Sequence, residues 1–374
     1  MSRKALYLVV VFSMAMLIFV SISRHVHAGM PSGIACSTCH TMHNSQNGVA
    51  EAKGKDRPAG GAGASAMGGL GSECGSCHDA FRPAGLLKMD CIGCHAQNPS
   101  GALNIIADIP QIAHAGTDLA AGNFSHVIDP ASGGANDAKG HNVHGFGTTI
   151  SLDFPLFGTP PGESLPSQLS FDPAAGAPLM CAGTNGCHGD RSQLEPHKAI
   201  AGAHHAVDTV LQNGTAVEGS QGGTVGLSYR FLLGVKGLED ATWEANAGHN
   251  VYKGADYAPR TSDTMSWFCS KCHGDFHAAS PTGIGTGTSP WVRHPTDVLM
   301  PLGGEFASYT YTKQAPVARI SIPASSSDDV TGTNRIVMCL SCHRAHAAPN
   351  DDSLRWDYAN MTTPNGCYTC HRNK

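Results

Sequence analysis

The chain has 374 residues, with 45 glycines and only 6% aromatic side chains. So few large side chains would fill a hydrophobic core poorly, and another component is expected to take its place. The formal net charge of −5, with no long run of Lys or Arg, excludes nucleic acid as an expected partner.

The chain begins like an exported protein. Arg3 and Lys4 precede an apolar run over 5–20, and the Val-His-Ala at 26–28 is typical of a signal-peptidase site. A retained membrane anchor is the alternative, but the run is shorter than the ~20 residues that a spanning helix needs. We therefore expect residues 1–28 to be a signal peptide and no stable membrane span to remain after its removal.

Cysteine spacing carries the strongest signal. All 14 cysteines occur in pairs, and each pair is followed directly by histidine. Six pairs have the spacing C-x-x-C-H, which is typical of c-type haem attachment. They are Cys36-Ser-Thr-Cys39-His40, Cys74-Gly-Ser-Cys77-His78, Cys91-Ile-Gly-Cys94-His95, Cys269-Ser-Lys-Cys272-His273, Cys339-Leu-Ser-Cys342-His343 and Cys367-Tyr-Thr-Cys370-His371.

The seventh pair is a stretched motif, Cys181-Ala-Gly-Thr-Asn-Gly-Cys187-His188. The step from the second cysteine to histidine is unchanged, and the loop between the cysteines must bulge to bring Cys181 back. Its glycines and its asparagine tolerate the positive φ that a bulge requires. A disulfide that closes this loop beside a non-ligating histidine is the alternative.

The chemistry of haem attachment explains the order of these residues. Two thiols add to the two porphyrin vinyl groups, and the next residue is held where an imidazole can bind the iron axially. Structural zinc needs four ligands and no histidine at a fixed position, and a thioredoxin-like C-x-x-C would occur once. We predict seven haem c groups, six through C-x-x-C-H and one through C-x5-C-H. The predicted proximal ligands are His40, His78, His95, His188, His273, His343 and His371.

A second histidine follows some of the motifs. His40 and His43 are three residues apart, so in a helical turn both project to the same side. They cannot bind one iron from opposite faces, and we predict that each serves a different haem. The same arrangement recurs at His343 and His346, and more loosely at His277.

Histidines outside the motifs exceed the number of distal positions, so several are bystanders. Two candidates stand in near copies, Gly140-His141-Asn142-Val143 and Gly248-His249-Asn250-Val251. Methionine is the competing axial ligand, but the surplus of histidine favours two histidines on each low-spin iron. The predicted distal ligands are His43, His141, His205, His249, His277, His294 and His346, with His114 and His204 ranked below them.

The motifs cluster at 36–95, 181–188 and 269–371, with no sharp boundary between them. We therefore predict a single multihaem unit over 29–374. Its fold is expected to be mostly coil with short helices and a few short strands, organised around a chain of stacked haems and with little conventional hydrophobic core. Short helices should carry the C-x-x-C-H turns. Short strands are predicted within 224–237 and 317–323.

With these motifs in place, the chain resembles the multihaem c-type cytochromes of metal-reducing bacteria. It is most similar to their c3-like outer-surface group, which is related to the filament-forming hexahaem cytochromes. The segments that carry the resemblance are CSTCHTMHNS (36–45), SYRFLLGVKG (228–237), SPWVRHPTD (289–297), CLSCHRAH (339–346) and GCYTCH (366–371). It implies distal roles for His43, His294 and His346 and one continuous chain of haems. The filament-forming relatives have six attachment motifs and this chain has seven, so neither their ligand pairing nor their filament assembly can be transferred whole.

The attachment motifs and the surplus of histidine are compatible with two functions. Iron with two histidine ligands has no open position, so the first expectation is electron transfer to other redox proteins or extracellular acceptors, at the outer surface or in the periplasm. Assembly into a homopolymeric filament (a nanowire) would add a structural role. The alternative is a nitrite or hydroxylamine enzyme with one open haem. Every motif here ends in histidine, so no catalytic residue is predicted.

Overall fold

The computed structural model describes residues 45–46, 49–50, 91–95, 105–106, 109–129, 134–143, 160–161, 179–194, 196–200, 216–217, 224–240, 242–244, 248–256, 262–277 and 294–372. The predicted signal peptide and the first two attachment motifs lie outside these residues. Within them, no helix is long and apolar enough to cross a membrane.

Helices in the described part of the chain are one or two turns long. The α-helices are α1 (Cys91–His95), α2 (Pro196–Ala199) and α3 (Met265–Ser270). The 3-10 helices are Phe124–His126, Asp137–Lys139, Val225–Leu227, Tyr229–Phe231, Gly274–His277, Gly304–Phe306, Cys339–Ser341, Asp351–Ser353 and Gly366–Thr369. Short helices therefore do carry the described C-x-x-C-H turns, as predicted.

Strands are equally short. They are β1 (Ser45–Gln46), β2 (Val49–Ala50), β3 (Ile105–Ile106), β4 (Ile109–Pro110), β5 (Ile128–Asp129), β6 (Gly134–Ala135), β7 (Met180–Ala182), β8 (Gly186–His188), β9 (Ala216–Val217), β10 (Gly237–Leu238), β11 (Val251–Tyr252), β12 (Val298–Leu299) and β13 (Ile336–Val337). One three-stranded sheet has the order β11-β10-β9, and the other strands form two-stranded ribbons. Among the described pairs, β7 and β8 are the parallel one.

Apolar side chains gather in small clusters beside the attachment cysteines. The largest cluster includes Tyr229, Tyr252 and Met265, and the partly buried Cys269 packs against it. A further cluster packs against Cys370. These clusters are too small to form one central core, so the predicted fold class is confirmed: mostly coil, with little conventional core.

The strand predicted within 224–237 is wrong for most of its length. Two 3-10 helices occupy Val225–Leu227 and Tyr229–Phe231, and extended pairing begins only at Gly237. The backbone of Arg230 is left-handed (φ 49°), which breaks a strand. The predicted strand at 317–323 is reduced to isolated bridges, one of which joins Ala318 to Ile336.

Candidate functional site

The stretched motif folds as two parallel strands, with one cysteine in each. The register pairs Met180 with Gly186 and Ala182 with His188, so Cys181 lies beside Cys187. Neighbouring strands are about 5 Å apart, which is about the separation of residues three apart on a helix. The longer spacer therefore presents its two thiols about as far apart as a C-x-x-C turn does.

The spacer of the stretched motif is an ordered loop. Gly183 has the positive φ that the sequence predicts (82°), and its N–H donates to the carbonyl oxygen of His188 (3.0 Å). The N–H of Met180 donates to the carbonyl oxygen of Asn185 (2.7 Å). A Cβ on Gly186 would lie 2.4 Å from the backbone nitrogen of Ala182, so only glycine fits there. The loop is thus built to hold the two cysteines side by side.

The C-x-x-C-H copies share one backbone contact. The N–H of the motif histidine donates to the carbonyl oxygen of the first cysteine four residues earlier, at 3.0 Å in His273 and His343 and 2.9 Å in His371. One helical turn therefore fixes the histidine relative to both cysteines.

The described cysteine side chains form no disulfide with one another, and Cys181 and Cys187 are both free thiols. The disulfide alternative for the stretched motif thus finds no support in this part of the chain. Most of these cysteines are half-buried, while Cys187 and Cys367 are exposed. Apolar and accessible thiols of this kind fit attachment to a flat apolar group.

Seven described imidazoles have Nδ1 within 2.7–2.9 Å of a backbone carbonyl oxygen, to which it donates. In six of them this tautomer leaves the lone pair of Nε2 for a metal. The six pairs are His95 with Pro110, His141 with Ala345, His188 with Arg230, His273 with Pro161, His294 with Pro295, and His343 with Asp352. The seventh, His249, contacts Asn250 in the same way (2.8 Å), but its Nε2 lies 3.0 Å from Oδ1 of Asp328.

Three pairs of histidine rings lie opposite each other, with nearly the same distance between their centroids and with their planes tilted by 47–79°. Their centroids are 6.2 Å apart for His188 and His346, 6.1 Å for His141 and His273, and 6.2 Å for His294 and His371. Each pair joins a motif histidine to a predicted distal candidate. Two metal–nitrogen bonds of about 2 Å in line, plus about 1 Å from each nitrogen to its ring centre, add up to roughly 6 Å. The gap therefore suits one iron between two imidazoles.

His346 lies close to three other described imidazoles. Burial, followed by the nearby charges of His188, His141 and His95, lowers the pKa of His346 to about 3. The ring of Phe124 stacks on it, with centroids 4.7 Å apart. His346 is therefore a neutral imidazole at ordinary pH, which is the form that binds a metal.

His371 has a carboxylate in place of a carbonyl partner. Its Nδ1 lies 3.1 Å from Oε2 of Glu305, and both side chains are about one-quarter exposed. The ring of Phe306 packs against His371, with centroids 4.9 Å apart. A carboxylate at Nδ1 makes an imidazole a stronger electron donor to a metal.

Other candidates have their ring nitrogens engaged by protein groups. Nε2 of His249 lies 3.0 Å from Oδ1 of Asp328, and Nε2 of His277 lies 2.9 Å from Oδ2 of Asp297. His114 accepts the Gly116 N–H at Nδ1 (3.0 Å), which leaves the proton on its Nε2. The remaining predicted site residues lie outside the described side chains: Cys36, Cys39, His40, His43, Cys74, Cys77, His78, Cys94, His204 and His205.

Two residues that support the predicted ligands were not predicted from the sequence. Arg230 presents its carbonyl to His188, and the backbone of Ala345 does the same for His141. A backbone carbonyl has no sequence signature. For Arg230, the sequence signal is an arginine placed inside the apolar segment SYRFLLGVKG.

Comparison with known proteins also finds haem-attachment motifs and a c-type cytochrome. Residues 333–374 match the family described as Doubled CXXCH motif. C-type cytochrome OmcS of Geobacter sulfurreducens is 25% identical over 385 residues, which span 89% of this chain and 80% of the relative.

Two solved structures are also similar. The Outer Membrane Cytochrome S filament from Geobacter sulfurreducens covers 88% of this chain and 85% of its own, with 18% identity and a TM-score of 0.41. The cryo-EM structure of OmcS nanowires from the same organism covers 87% and 84%, with 20% identity and a TM-score of 0.46.

Proposed function

We propose that this chain, a multihaem c-type cytochrome related to the filament-forming cytochromes, carries electrons outside the cytoplasm through seven covalently attached haems. The observation that carries the proposal is the set of three histidine pairs, each with centroids 6.1–6.2 Å apart and each containing a motif histidine. Haem supplies reversible one-electron transfer when bound. The cysteine side chains would hold it, and the paired histidines would ligate its iron.

The stretched motif is proposed to hold one of the seven haems. Its parallel strands bring Cys181 next to Cys187, and His188 faces His346 across the same gap as the other two pairs. His188 also donates from Nδ1 to a carbonyl oxygen, as the motif histidines His95, His273 and His343 do. A disulfide-closed loop would need none of these features.

We assign the axial pairs as His188 with His346, His273 with His141, and His371 with His294. His95 and His343 are proposed to take their partners from His43, His204 and His205, which lie outside the described residues. His249 and His277 are assigned structural roles because aspartate oxygens contact their Nε2 atoms. His114 is assigned one because its Nδ1 accepts the Gly116 N–H, which leaves a proton on Nε2. Two histidine ligands leave no open site on each of the three paired irons, which favours electron transfer over nitrite or hydroxylamine chemistry.

Two of the attachment turns lie in direct contact. The N–H of Cys339 donates to Oγ of Ser266 (3.3 Å), which lies in the same helix as Cys269. The N–H of His141 donates to the carbonyl oxygen of His346 (3.0 Å), which joins the ligand pair of His273 to that of His188. This contiguity supports a continuous path for electrons through the described part of the chain.

The relatives support a proposal on location and assembly. The similar solved structures are an outer-membrane cytochrome filament and nanowires. We propose that this chain is likewise exported, exchanges electrons with redox proteins or extracellular acceptors, and forms a homopolymer. Electron microscopy of material sheared from cells should show filaments that disappear when the gene is deleted. Isolated particles alone would contradict the polymer.

Intact mass tests the haem count most directly. The purified protein should carry seven haems, and changing Cys181 and Cys187 together to Ala should remove one haem mass. The matched positive control is Cys367→Ala with Cys370→Ala, which must remove the same mass. If the control loses a haem and the stretched-motif variant does not, the seventh haem is refuted. Carbon monoxide binding by the reduced protein, with turnover of nitrite or hydroxylamine, would favour the enzyme instead.

A further inference from the structure

The segment behind the stretched motif contains two consecutive left-handed residues. Arg230 has φ 49° and ψ 36°, and Phe231 has φ 58°. Neither is glycine, and this conformation is strained for residues with a Cβ atom. Strain of this kind persists only where surrounding contacts hold it.

Both strained residues present their carbonyl oxygens to the end of the stretched motif. Nδ1 of His188 donates to the carbonyl oxygen of Arg230 (2.9 Å), and the N–H of Gly189 donates to that of Phe231 (2.7 Å). The left-handed turn thus aims two acceptors at the motif histidine and the residue after it. An ordinary strand here would point successive carbonyls in opposite directions.

A buried network holds Arg230 in this conformation. Oε1 of Glu239 accepts the Arg230 N–H (2.6 Å), and its Oε2 accepts from Nη1 (3.0 Å). Nη2 donates to the carbonyl oxygen of Asp240 (3.0 Å) and to Oδ1 of Asn250 (3.1 Å). The Glu239 side chain is 7% exposed and that of Arg230 18%. A buried pair of this kind gains from fixing one geometry rather than from net Coulomb energy.

We propose that Arg230 is a positioning residue for the stretched site: clamped by Glu239, it orients the imidazole of His188 and so sets the reduction potential of one haem. The inference rests on the proposed haem at Cys181 and Cys187. A strong acceptor at Nδ1 makes the ligand more electron-rich, which favours oxidised iron and lowers the potential. It also fixes the ring plane of His188, which lies at 60° to that of His346.

The test removes the ion pair of Arg230 with Glu239, called the clamp below, without changing the net charge. Arg230→Gln combined with Glu239→Gln should keep all seven haem masses, raise the potential of one haem and change one low-spin EPR signal, because that signal depends on the angle between the two imidazole planes. The affected signal should be the one that is missing from the Cys181→Ala, Cys187→Ala variant. That comparison assigns the change to the stretched site.

A second ion pair in the same region supplies the control. Nζ of Lys236 lies 2.8 Å from Oδ2 of Asp263, and the two residues also share a backbone hydrogen bond (3.0 Å). Lys236→Gln combined with Asp263→Asn removes the same two charges and should leave every potential and EPR signal unchanged. If the double variant of the clamp does not fold, Arg230→Lys is the substitute. It keeps the positive charge but loses the two-pronged guanidinium, and it should shift the potential of the same haem by less.

The outcomes separate the two proposals. A wild-type protein with only six haems refutes the haem at the stretched motif and the positioning role with it. Seven haems in wild type and variant, with melting temperature as the only change, refute the positioning role alone. Equal shifts in the clamp variant and the control also refute it. A shift confined to the stretched site supports it.

Discussion

The backbone N–H of His141 donates to the carbonyl oxygen of His346 at 3.0 Å, and the imidazole of His141 donates to the neighbouring carbonyl oxygen of Ala345 at 2.8 Å. These two histidines are distal ligands of different haems in our assignment. One backbone junction therefore sets the positions of both. The bridge between Gly140 and Ala347 extends this junction by one residue on each side.

The first prediction concerns the close approach at Gly140. A Cβ there would lie 2.5 Å from Cβ of Ala347 and 2.5 Å from the carbonyl oxygen of His346. Gly140→Ala should therefore push the two segments apart and lower the free energy of unfolding by about 1–3 kcal/mol. Because both distal histidines move with the junction, the potentials of two haems should shift together. Thermal unfolding and a redox titration measure the two effects.

Gly303→Ala is the matched control for this change. Gly303 has an extended backbone (φ −117°), and nothing lies within 4 Å of its Cβ position. The control should leave both stability and potentials close to wild type. Equal effects of the two substitutions would contradict the role of the junction.

The sequence predicted the attachment motifs but not how the histidines pair. Cys36 to His371 can be assigned from spacing, because thioether attachment requires a local pattern. In our assignment the partner of His188 is His346, from a distant segment, and no local pattern encodes that meeting. The segment around His346 is held by backbone contacts with Ala121 and with 139–141, and backbone atoms are common to every residue type.

Local sequence does not determine the surroundings of two segments. The copies around His141 and His249 share Gly-His-Asn-Val, yet only the first places its imidazole opposite a described motif histidine. The difference comes from Asp328, which lies far along the chain. At Arg230, an apolar stretch predicted a strand, but the buried pair with Glu239 favours a left-handed turn.

The second prediction concerns acid stability at Asp118. Burial raises the pKa of this carboxyl, but the hydrogen bond and charge of His126 and the charge of Arg344 outweigh it, so the pKa lies below its ordinary value of 3.8. A depressed pKa stabilises the folded state above pH 3.8, and this contribution is lost as the pH falls through the lower folded value. Asp118→Asn should therefore lose less stability than wild type on acidification from neutral pH to about pH 3.

Melting temperatures at the two pH values check this prediction. Asp351→Asn, which alters an exposed carboxylate, is the control and should keep the wild-type response. An Asp118→Asn protein as acid-sensitive as wild type would show that the contact with His126 (3.0 Å) contributes nothing to folding.

The third prediction concerns the carboxylate beside His371. Oε2 of Glu305 lies 3.1 Å from Nδ1 of that ring. The negative charge makes the imidazole a stronger donor and favours oxidised iron. Glu305→Gln should raise the potential of one haem, the one attached at Cys367 and Cys370, and leave the haem count unchanged. An unchanged set of potentials in a redox titration of the variant would exclude this influence.

The fourth prediction uses the two Gly-His-Asn-Val copies as controls for each other. His141 faces the motif histidine His273 with centroids 6.1 Å apart. His249 instead stacks on Tyr311, with centroids 4.0 Å apart, and contacts Asp328 through Nε2 (3.0 Å). His141→Met should therefore replace one axial ligand, keep that iron low-spin and raise its potential, because thioether ligation favours reduced iron.

His249→Met should leave all potentials unchanged. It should lower the melting temperature, because a buried ring stack and a contact with Asp328 are lost. Redox titration and EPR of the two variants decide between the copies, since the local sequence around each substitution is nearly the same. A raised potential in the His249 variant and none in the His141 variant would reverse the assignment. His273 would then need another partner than His141.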